Sequence, residues 1–564
     1  MSLGAHFPRD AKAMTIVAAV AFAAIVPMIV WGIPKGPDLV NHYRFALSFH
    51  DSIQHGTLYP GWLSYTNDGY GDPRLRFYPP GLYFLLSTAR ALTGWYPATI
   101  LTLCLLSIIG AVGVYFWCRG FQPTRVAVWS GIIYALAPYH LNQLYRSSVL
   151  AEYAGCAVLP FCFLLVERVC RKGKPADIAG LAAAYALLIL THLPLTVIGS
   201  LSLLVYAGLR IDKERCWQTL SKLALAVMLG LAASSFFWLT MVAELSWIKG
   251  NTVEPNINFD YRLNFLFSPW ALTSFGTWYS NLLGLATIGA FAPALVLAKR
   301  VLKRRQVDPG VTVLRAIFLM TLLSFLMTTD LSRPVWAIIP KLREVQFPWR
   351  WLAITTMFGS ILLAASIPGW LERVKAGFRP WHLLFASGLA LSLLFIVSQV
   401  IWDAEYLRGE AFVSKFPVAA RGSVSFKEWL PVWARDVVQM KKMTGDVEVG
   451  SRQVTIDSWE PEHRNFQVSP GLAATARVRT YYYPHWRATA QGQILETKPA
   501  EDGALLIAVP SGQTNIQLDF HEPRRVSVAR FVSVCAWLLI AGLFLVARAR
   551  HFLPDSRPVL SGAV

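Results

Sequence analysis

The chain contains repeated runs of about 20 apolar residues, a length that can cross a bilayer as an α-helix. We predict about twelve such spans, at 13–32, 97–117, 127–141, 153–170, 178–193, 194–209, 223–245, 279–298, 313–330, 351–370, 381–402 and 527–547. Only 15% of the 564 residues are charged and 55% are hydrophobic, which excludes an ordinary soluble domain. The pattern therefore predicts a polytopic α-helical membrane protein.

Lysine and arginine are distributed unevenly over the loops. With a cytoplasmic N-terminus, the cytoplasmic loops hold 24 of them in 92 residues, and the opposite loops hold 12 in 137. This asymmetry follows the positive-inside rule and predicts cytoplasmic N- and C-termini. We expect the membrane to be a bacterial cytoplasmic (inner) membrane. Contact with anionic membrane lipids accounts for the net charge of +19, whose densest cluster is at 299–305, so we predict no nucleic-acid partner.

Two segments depart from the spanning pattern. Phe77–Thr93 begins with Tyr-Pro-Pro and contains Arg90, so we predict an amphipathic helix in the outer interface. Between 403 and 526 the apolar runs give way to alternating stretches bounded by turn residues, which is typical of a β-sandwich. We therefore predict a multi-span domain at 1–402, an extracytoplasmic β-rich domain at 403–526, and a final transmembrane helix with a cytoplasmic tail at 527–564.

Polar residues collect in the predicted outer loops, where a membrane protein can carry a site. Loop 33–96 places Asp38 directly after the first span, followed by His42 and Arg44. The next outer loop carries Arg146, and Glu152 stands where a span begins.

Each acid in these loops has a structural alternative. Asp38 could cap a helix that begins at Leu39. Glu152 could form an ion pair with Arg146, or could orient a substrate as a second acid. Asp68 and Asp72 could bind a divalent metal together with Asp38, although Asn-Asp-Gly and Asp-Pro are also common turn sequences. Metal dependence is left open, and no cofactor is certain.

Several short motifs occur along the chain, and their order is more specific than any one of them. A span and an acid-bearing outer loop with Tyr78-Pro79-Pro80 come first, and then Pro138-Tyr139, Arg146-Ser147 and Glu152. Further motifs are Leu190-Thr191-His192-Leu193-Pro194, Gln346-Phe347-Pro348-Trp349-Arg350-Trp351 and Tyr481-Tyr482-Tyr483-Pro484-His485-Trp486. This order resembles the integral-membrane glycosyltransferases of the GT-C class, and within them the 6-pyruvoyl-tetrahydropterin-synthase-related membrane proteins.

The resemblance implies a GT-C-like fold and a sugar donor linked to a polyprenyl phosphate, with transfer on the outer face to a glycan, lipid or protein acceptor. It places a catalytic carboxylate shortly after the first span, which here is Asp38. As general base, Asp38 would take a proton from the acceptor while the anomeric centre is inverted. Glu152 is the second catalytic candidate.

The resemblance also implies a set of substrate-binding candidates, namely His42, Arg44, Tyr78, Arg146, His192, Gln346, Trp349 and Arg350. Arg350 would hold the donor phosphate, with lipid-interface anchoring as the alternative. His192 could instead be a packing histidine, and Tyr481–Trp486 could be a strand edge that fills the β-core or a surface that binds an acceptor. No His-x-His or His-Glu-x-x-His spacing occurs, so we infer no pterin chemistry.

Two other functions fit a protein with many spans. A transporter or flippase of lipid-linked saccharide would need an outer cavity, together with ionisable residues deep in the spans. A non-catalytic member could act as a scaffold in glycan assembly. An intact Asp38 favours the enzyme weakly over the scaffold.

Overall fold

The computed structural model describes residues 7–250, 259–270, 278–302, 308–377, 379–402, 404–409, 412 and 427–552. Part of the basic cluster at 299–305, part of the predicted domain at 403–526 and the end of the predicted cytoplasmic tail lie outside these ranges.

Long apolar helices dominate the chain up to residue 402. In the described residues, nine helices are long and apolar enough to cross a membrane: Trp95–Arg119, Leu150–Arg171, Leu193–Arg210, Lys213–Ala233, Trp278–Leu297, Pro309–Leu326, Pro348–Lys375, Pro380–Trp402 and Arg524–Ala547. Each of them overlaps one of the twelve predicted spans. The predicted membrane character is therefore supported, whereas the number of spans and their orientation stay predictions.

The other three predicted spans form shorter helices. The first is divided into Phe7–Ala23 and Val26–Trp31, with Pro27 in the first turn of the second helix. The third is Thr124–Ala135, and the fifth is Pro175–Thr191. Prolines explain these limits, because a proline lacks a backbone donor and disfavours helical geometry in the residue before it.

Shorter helices connect the long ones or lie in the predicted outer loops. They are Leu39–Gln54, Gly81–Leu92, Pro138–Leu141, Ser235–Glu244, Ala298–Leu302, Arg333–Ile338 and Pro340–Arg343. Gly81–Leu92 is the helix predicted within Phe77–Thr93. It buries Leu82, Tyr83 and Leu86 on one face, which is the spacing of an amphipathic helix.

The C-terminal region contains two antiparallel sheets. Its strands are β3 (Val447–Glu448), β4 (Val454–Trp459), β5 (His463–Val468), β6 (Ala474–Tyr481), β7 (Trp486–Ala490), β8 (Gln493–Leu495), β9 (Thr497–Pro499), β10 (Ala504–Val509) and β11 (Thr514–Phe520). A separate pair, β1 (Ile33–Pro34) and β2 (Tyr406–Leu407), joins the start of the first outer loop to the end of the helical part.

One sheet has the strand order β3-β6-β10-β9 and the other β4-β5-β11-β7-β8. Both contribute to one buried core, for example Val478 and Ile507 from the first sheet and Phe466 and Leu518 from the second. Burial alternates along β11, as the period-two pattern predicts. Two sheets that share one core form the predicted sandwich.

The segment Tyr481–Trp486 faces this core. Tyr481, Tyr483, His485 and Trp486 are all buried. The indole of Trp486 packs against Trp62 of the first outer loop, with ring centres 5.5 Å apart. The segment therefore fills the core, as the strand-edge alternative expects.

A buried ion network fixes the sandwich to the helical part. The fully buried Arg76 donates from Nε to Glu244 at 2.6 Å and from Nη1 to Glu522 at 2.7 Å. Glu244 also accepts a hydrogen bond from the Tyr483 hydroxyl at 2.8 Å and lies 2.9 Å from the His485 ring nitrogen. The network thus joins the first outer loop, the helix Ser235–Glu244 and the β-sandwich.

Glu462 is a second buried acid at this junction. It accepts a hydrogen bond from the backbone N–H of Gly61 at 2.6 Å. Burial raises its pKa from the ordinary 4.5 to about 7, and Glu522 adds to this, while the Gly61 bond, Arg76 and His463 oppose it. The folded protein therefore binds a proton at Glu462 more tightly than the unfolded chain does.

We expect this acid to make stability depend on pH. The stabilisation from the bound proton is complete below about pH 4.5 and is lost as the pH rises through about 7, by at most about 3 kcal/mol. Glu462→Gln, which mimics the protonated form, should flatten the profile of unfolding temperature between these pH values. The exposed Glu496→Gln is the control, and an unchanged profile in Glu462→Gln would contradict the prediction.

Candidate active site between the outer loops

The backbone at Asp38 is docked onto the second outer loop. The N–H of Gly36 donates to the Ser148 hydroxyl at 3.0 Å, and the N–H of Asp38 donates to the Ser147 carbonyl at 3.4 Å. A Cβ on Gly36 would lie 2.4 Å from Ser148 Oγ and 2.6 Å from the Arg146 carbonyl oxygen. Only glycine permits this approach, so Gly36 helps to place Asp38.

Asp38 immediately precedes the helix Leu39–Gln54 but does not cap it with its side chain. Its backbone is already helical, and it makes no side-chain capping hydrogen bond. The half-buried carboxylate instead accepts a hydrogen bond from Asn41, whose own carbonyl accepts from Arg44 at 2.9 Å. Asn41 and Arg44 therefore orient Asp38 from one face of its helix.

Glu152 and Arg350 both act electrostatically on the Asp38 carboxyl. Burial raises the pKa of the Asp38 carboxyl above its usual range. Arg350 opposes this shift and Glu152 adds to it. A carboxylate with a raised pKa is a stronger base, and the nearby guanidinium keeps its ionised form accessible.

Glu152 is buried at the start of the helix Leu150–Arg171. One carboxylate oxygen accepts from the Tyr139 hydroxyl and from the Gln143 amide at 3.0 Å, and the other accepts from Arg350 Nε at 3.1 Å. The predicted alternative of an ion pair with Arg146 is replaced by this pair with Arg350. The guanidinium of Arg146 lies 4.0 Å from the ring centre of Tyr279.

Arg350 is held by a turn and two aromatic rings. Gln346 adopts the left-handed region at φ 67°, and the Arg350 guanidinium donates to the Val345 carbonyl at 2.6 Å. The guanidinium lies 4.9 Å from the ring centre of Phe347, which stacks on Trp349. This packing fixes a planar cation against Glu152, from where its charge also acts on Asp38.

The two candidate histidines are used within the protein fold. His42 Nε2 accepts from the N–H of Leu150 at 3.1 Å, and its Nδ1 lies 3.1 Å from the Tyr83 hydroxyl. Burial lowers the pKa of His42 to about 3, so it is neutral and connects the helix of Asp38 to that of Glu152. His192 Nδ1 caps the helix Leu193–Arg210, and its Nε2 lies 4.0 Å from Glu152 Oε2.

Tyr78 is half-buried, and its ring centre lies 4.6 Å from that of Phe45. The Tyr78 hydroxyl interacts electrostatically with Asp38, Glu152 and Arg350. The structure therefore brings the cluster of Asp38, Glu152 and Arg350 together with Tyr78, His192 and Trp349.

Asp72 and Asp68, the predicted metal candidates, differ in burial and in hydrogen bonding. The buried Asp72 accepts from Thr66 Oγ1 and Asn67 Nδ2, both at 3.0 Å, and from the N–H of Arg74, so it closes a turn. Asp68 is exposed in the same turn. Across the described residues, no group of three or more His, Cys, Asp or Glu side chains is arranged to hold a metal ion.

Several residues that contact the site were not among the sequence candidates, and Gly36, Asn41, Tyr139, Gln143 and Ser148 are examples. Gly36 and Asn41 belong to the segment that begins the first outer loop, and Tyr139 belongs to the Pro138-Tyr139 motif, so these segments had already been singled out in the sequence. Gln143 and Ser148 carried no local signal, because their role depends on contacts with Glu152 and Gly36 that form only in the folded chain.

Residues 75–407 match the model of the family described as "6-pyruvoyl-tetrahydropterin synthase related domain; membrane protein". The chain belongs to this family. The match confirms the resemblance predicted from the motifs and identifies a membrane protein. No curated protein matches the sequence.

Three solved structures are similar to this chain at low identity. The archaeal oligosaccharyltransferase AglB from Archaeoglobus fulgidus, in complex with an inhibitory peptide and a dolichol-phosphate, is 13% identical with a TM-score of 0.43. The alignment covers 71% of this chain and 56% of AglB, so this chain spans about half the length of that protein.

Two further solved structures are also similar to this chain. The arabinofuranosyltransferase AftD from Mycobacteria is 16% identical with a TM-score of 0.42, over 69% of this chain and 26% of AftD. ArnT from Cupriavidus metallidurans in the apo state is 15% identical with a TM-score of 0.33, over 64% of this chain and 78% of ArnT.

Proposed function

We propose that the protein is a membrane glycosyltransferase that moves a sugar from a polyprenyl-phosphate donor to an envelope glycan, lipid or protein acceptor on the outer face. The observation that carries the proposal is the cluster of Asp38, Glu152 and Arg350. A half-buried carboxylate without a capping role lies in the field of a fixed guanidinium, which is the combination that base-assisted transfer from a phosphate ester needs.

In this mechanism Asp38 accepts the proton of an acceptor hydroxyl as that oxygen attacks the anomeric carbon. The bond between this carbon and the phosphate oxygen breaks, polyprenyl phosphate leaves, and the anomeric centre is inverted. Arg350 stabilises the negative charge on the departing phosphate. Glu152 fixes the orientation of Arg350 through its ion pair, while Tyr139 and Gln143 hold Glu152.

The proposal is tested by incubating the purified protein with a panel of polyprenyl-phosphate sugars. We expect release of polyprenyl phosphate with at least one donor, and transfer to an added envelope glycan. A flippase would move the donor across a vesicle bilayer without releasing polyprenyl phosphate. A scaffold would bind the glycan without turnover, so either result would contradict the enzyme.

Arg350→Lys should weaken donor binding by roughly tenfold, although the charge is retained. A lysine cannot make the bond to Glu152, the bond to the Val345 carbonyl and the planar contact with Phe347 at the same time. Donor affinity can be measured by titration with a polyprenyl-phosphate sugar. The exposed Arg333→Lys is the control, and equal affinities in the two variants would leave Arg350 as an interface anchor.

The proposed outer-face reaction also requires the predicted orientation. On a background without the seven native cysteines, Ser451→Cys should react with a membrane-impermeant thiol reagent in intact cells, whereas Lys213→Cys should not. Both positions are exposed in the fold, so access to the reagent decides the result. The reverse pattern would overturn the orientation.

A further inference from the structure

A cavity lies between the first outer loop and the β-sandwich. It has a volume of about 260 Å³. Its lining includes Asp51 and Asp68 from the outer loop and Asp446, Trp459, Glu460, Arg464 and Arg479 from the C-terminal region. Ligand sites for drug-sized molecules begin at roughly 300 Å³, so this volume suits a small group such as one sugar ring.

Arg464 is the most unusual side chain of this cavity. It is 1% exposed, and its guanidinium carbon lies 4.5 Å from the ring centre of Trp459 and 4.7 Å from that of Trp486. Among the described residues, its Nε and Nη1 atoms have no hydrogen-bond partner. Both atoms are enclosed by the protein, so the remaining nitrogen, Nη2, is the donor that this guanidinium can offer to acceptor oxygens in the cavity.

Asp68 contributes a carboxylate to the cavity from the first outer loop. Asn67 and Asp68 both adopt the left-handed region, at φ 54° and 55°. Asp72 holds this turn through its bond from the Asn67 amide. No hydrogen bond joins the Asp68 carboxylate to any part of the chain that the structure describes, so it is available to accept from a ligand hydroxyl.

The charges of the lining select against an anion. Four carboxylates, those of Asp51, Asp68, Asp446 and Glu460, face two guanidinium groups. Arg479 is also committed to the carbonyls of Met443 and Gly445, both at 3.1 Å. Carboxylates accept hydrogen bonds from hydroxyls, an arginine donates to them, and an indole packs on apolar faces, which together fit a neutral sugar.

The cavity and the proposed catalytic site are connected by one helix. Leu39–Gln54 begins next to Asp38, and Asp51 is in its last turn. Thirteen residues of helix span about 20 Å, which is more than one sugar ring reaches. A glycan that contacts both places must therefore be a chain of several sugars.

We propose that this cavity is a distal subsite for a neutral sugar residue of an extended glycan acceptor. That the bound glycan is an acceptor rests on the proposed function. The binding of its sugar residue in this cavity requires neither donor nor turnover. It assigns Asp68 to sugar recognition, where the turn presents the carboxylate to the cavity.

The test measures binding of neutral trisaccharides of glucose, mannose, galactose and arabinose to the full-length protein in detergent, without donor. We expect saturable binding of at least one trisaccharide. Trp459→Ala and Asp68→Asn should each weaken it by roughly tenfold, because a stacking surface or a charged acceptor is lost. The controls are Ile456→Ala and Asp457→Asn, exposed neighbours on β4 outside the cavity lining, which should bind normally.

The outcomes separate this inference from the proposed function. Trisaccharide binding that persists in Asp38→Asn and is lost in Asp68→Asn supports the subsite, even if no donor is turned over. Turnover with normal trisaccharide affinity in both cavity variants would overturn the subsite and leave the enzyme intact. Absence of binding by every trisaccharide, or preferential binding of inorganic phosphate, would also overturn it.

Discussion

Asp38→Asn should lower transfer by a factor of roughly 10²–10⁴ while donor affinity is retained. Asparagine keeps the shape of the side chain and caps helices about as well as aspartate, but it cannot accept a proton from the acceptor. A structural role of Asp38 would therefore predict almost no change. Turnover of a polyprenyl-phosphate sugar, together with separate donor titration, distinguishes the two.

Asp330, at the end of the predicted span 313–330, has a side chain that is 41% exposed, and Asp330→Asn is the control that should transfer normally. In the wild type, transfer should increase as the pH rises through the pKa of Asp38, which burial raises, because the base must be ionised. If Asp38→Asn keeps near-normal transfer, the assignment is wrong and Glu152 becomes the next carboxylate to test.

Arg76→Met should destabilise the protein by about 3–5 kcal/mol, the typical cost of leaving a buried acid without its partner. Glu244 is fully buried and receives two bonds from the Arg76 guanidinium, and Glu522 receives two more. We expect a lower temperature of unfolding in detergent and faster proteolytic release of the β-sandwich from the helical part.

Arg525→Met is the matched control for this network. Arg525 also donates to Glu244, at 3.0 Å, but its side chain is 45% exposed. Solvent screens such a pair, so the cost should stay within about 1 kcal/mol. Similar losses in the two variants would show that burial of Arg76 does not decide the stability of the junction.

Local patterns were sufficient for much of the fold. The apolar runs predicted the nine long helices, because a helix that faces lipid or other helices must be apolar over its whole length. Alternation between 403 and 526 predicted strands, and the structure has β3 to β11 in the described part of that range. Spans broken by proline were predicted less well, because apolar composition does not record where a helix ends.

The sequence by itself determined the membrane class, the helix and strand segments and the acids at the loop starts, since these depend on neighbours along the chain. Only the tertiary structure decided the partners. Glu152 pairs with Arg350, 198 residues away, and Arg76 with Glu522, 446 residues away. Burial makes such partners matter, because a charge removed from water needs a compensating group, and residues so distant in sequence meet only after the helices and sheets have packed.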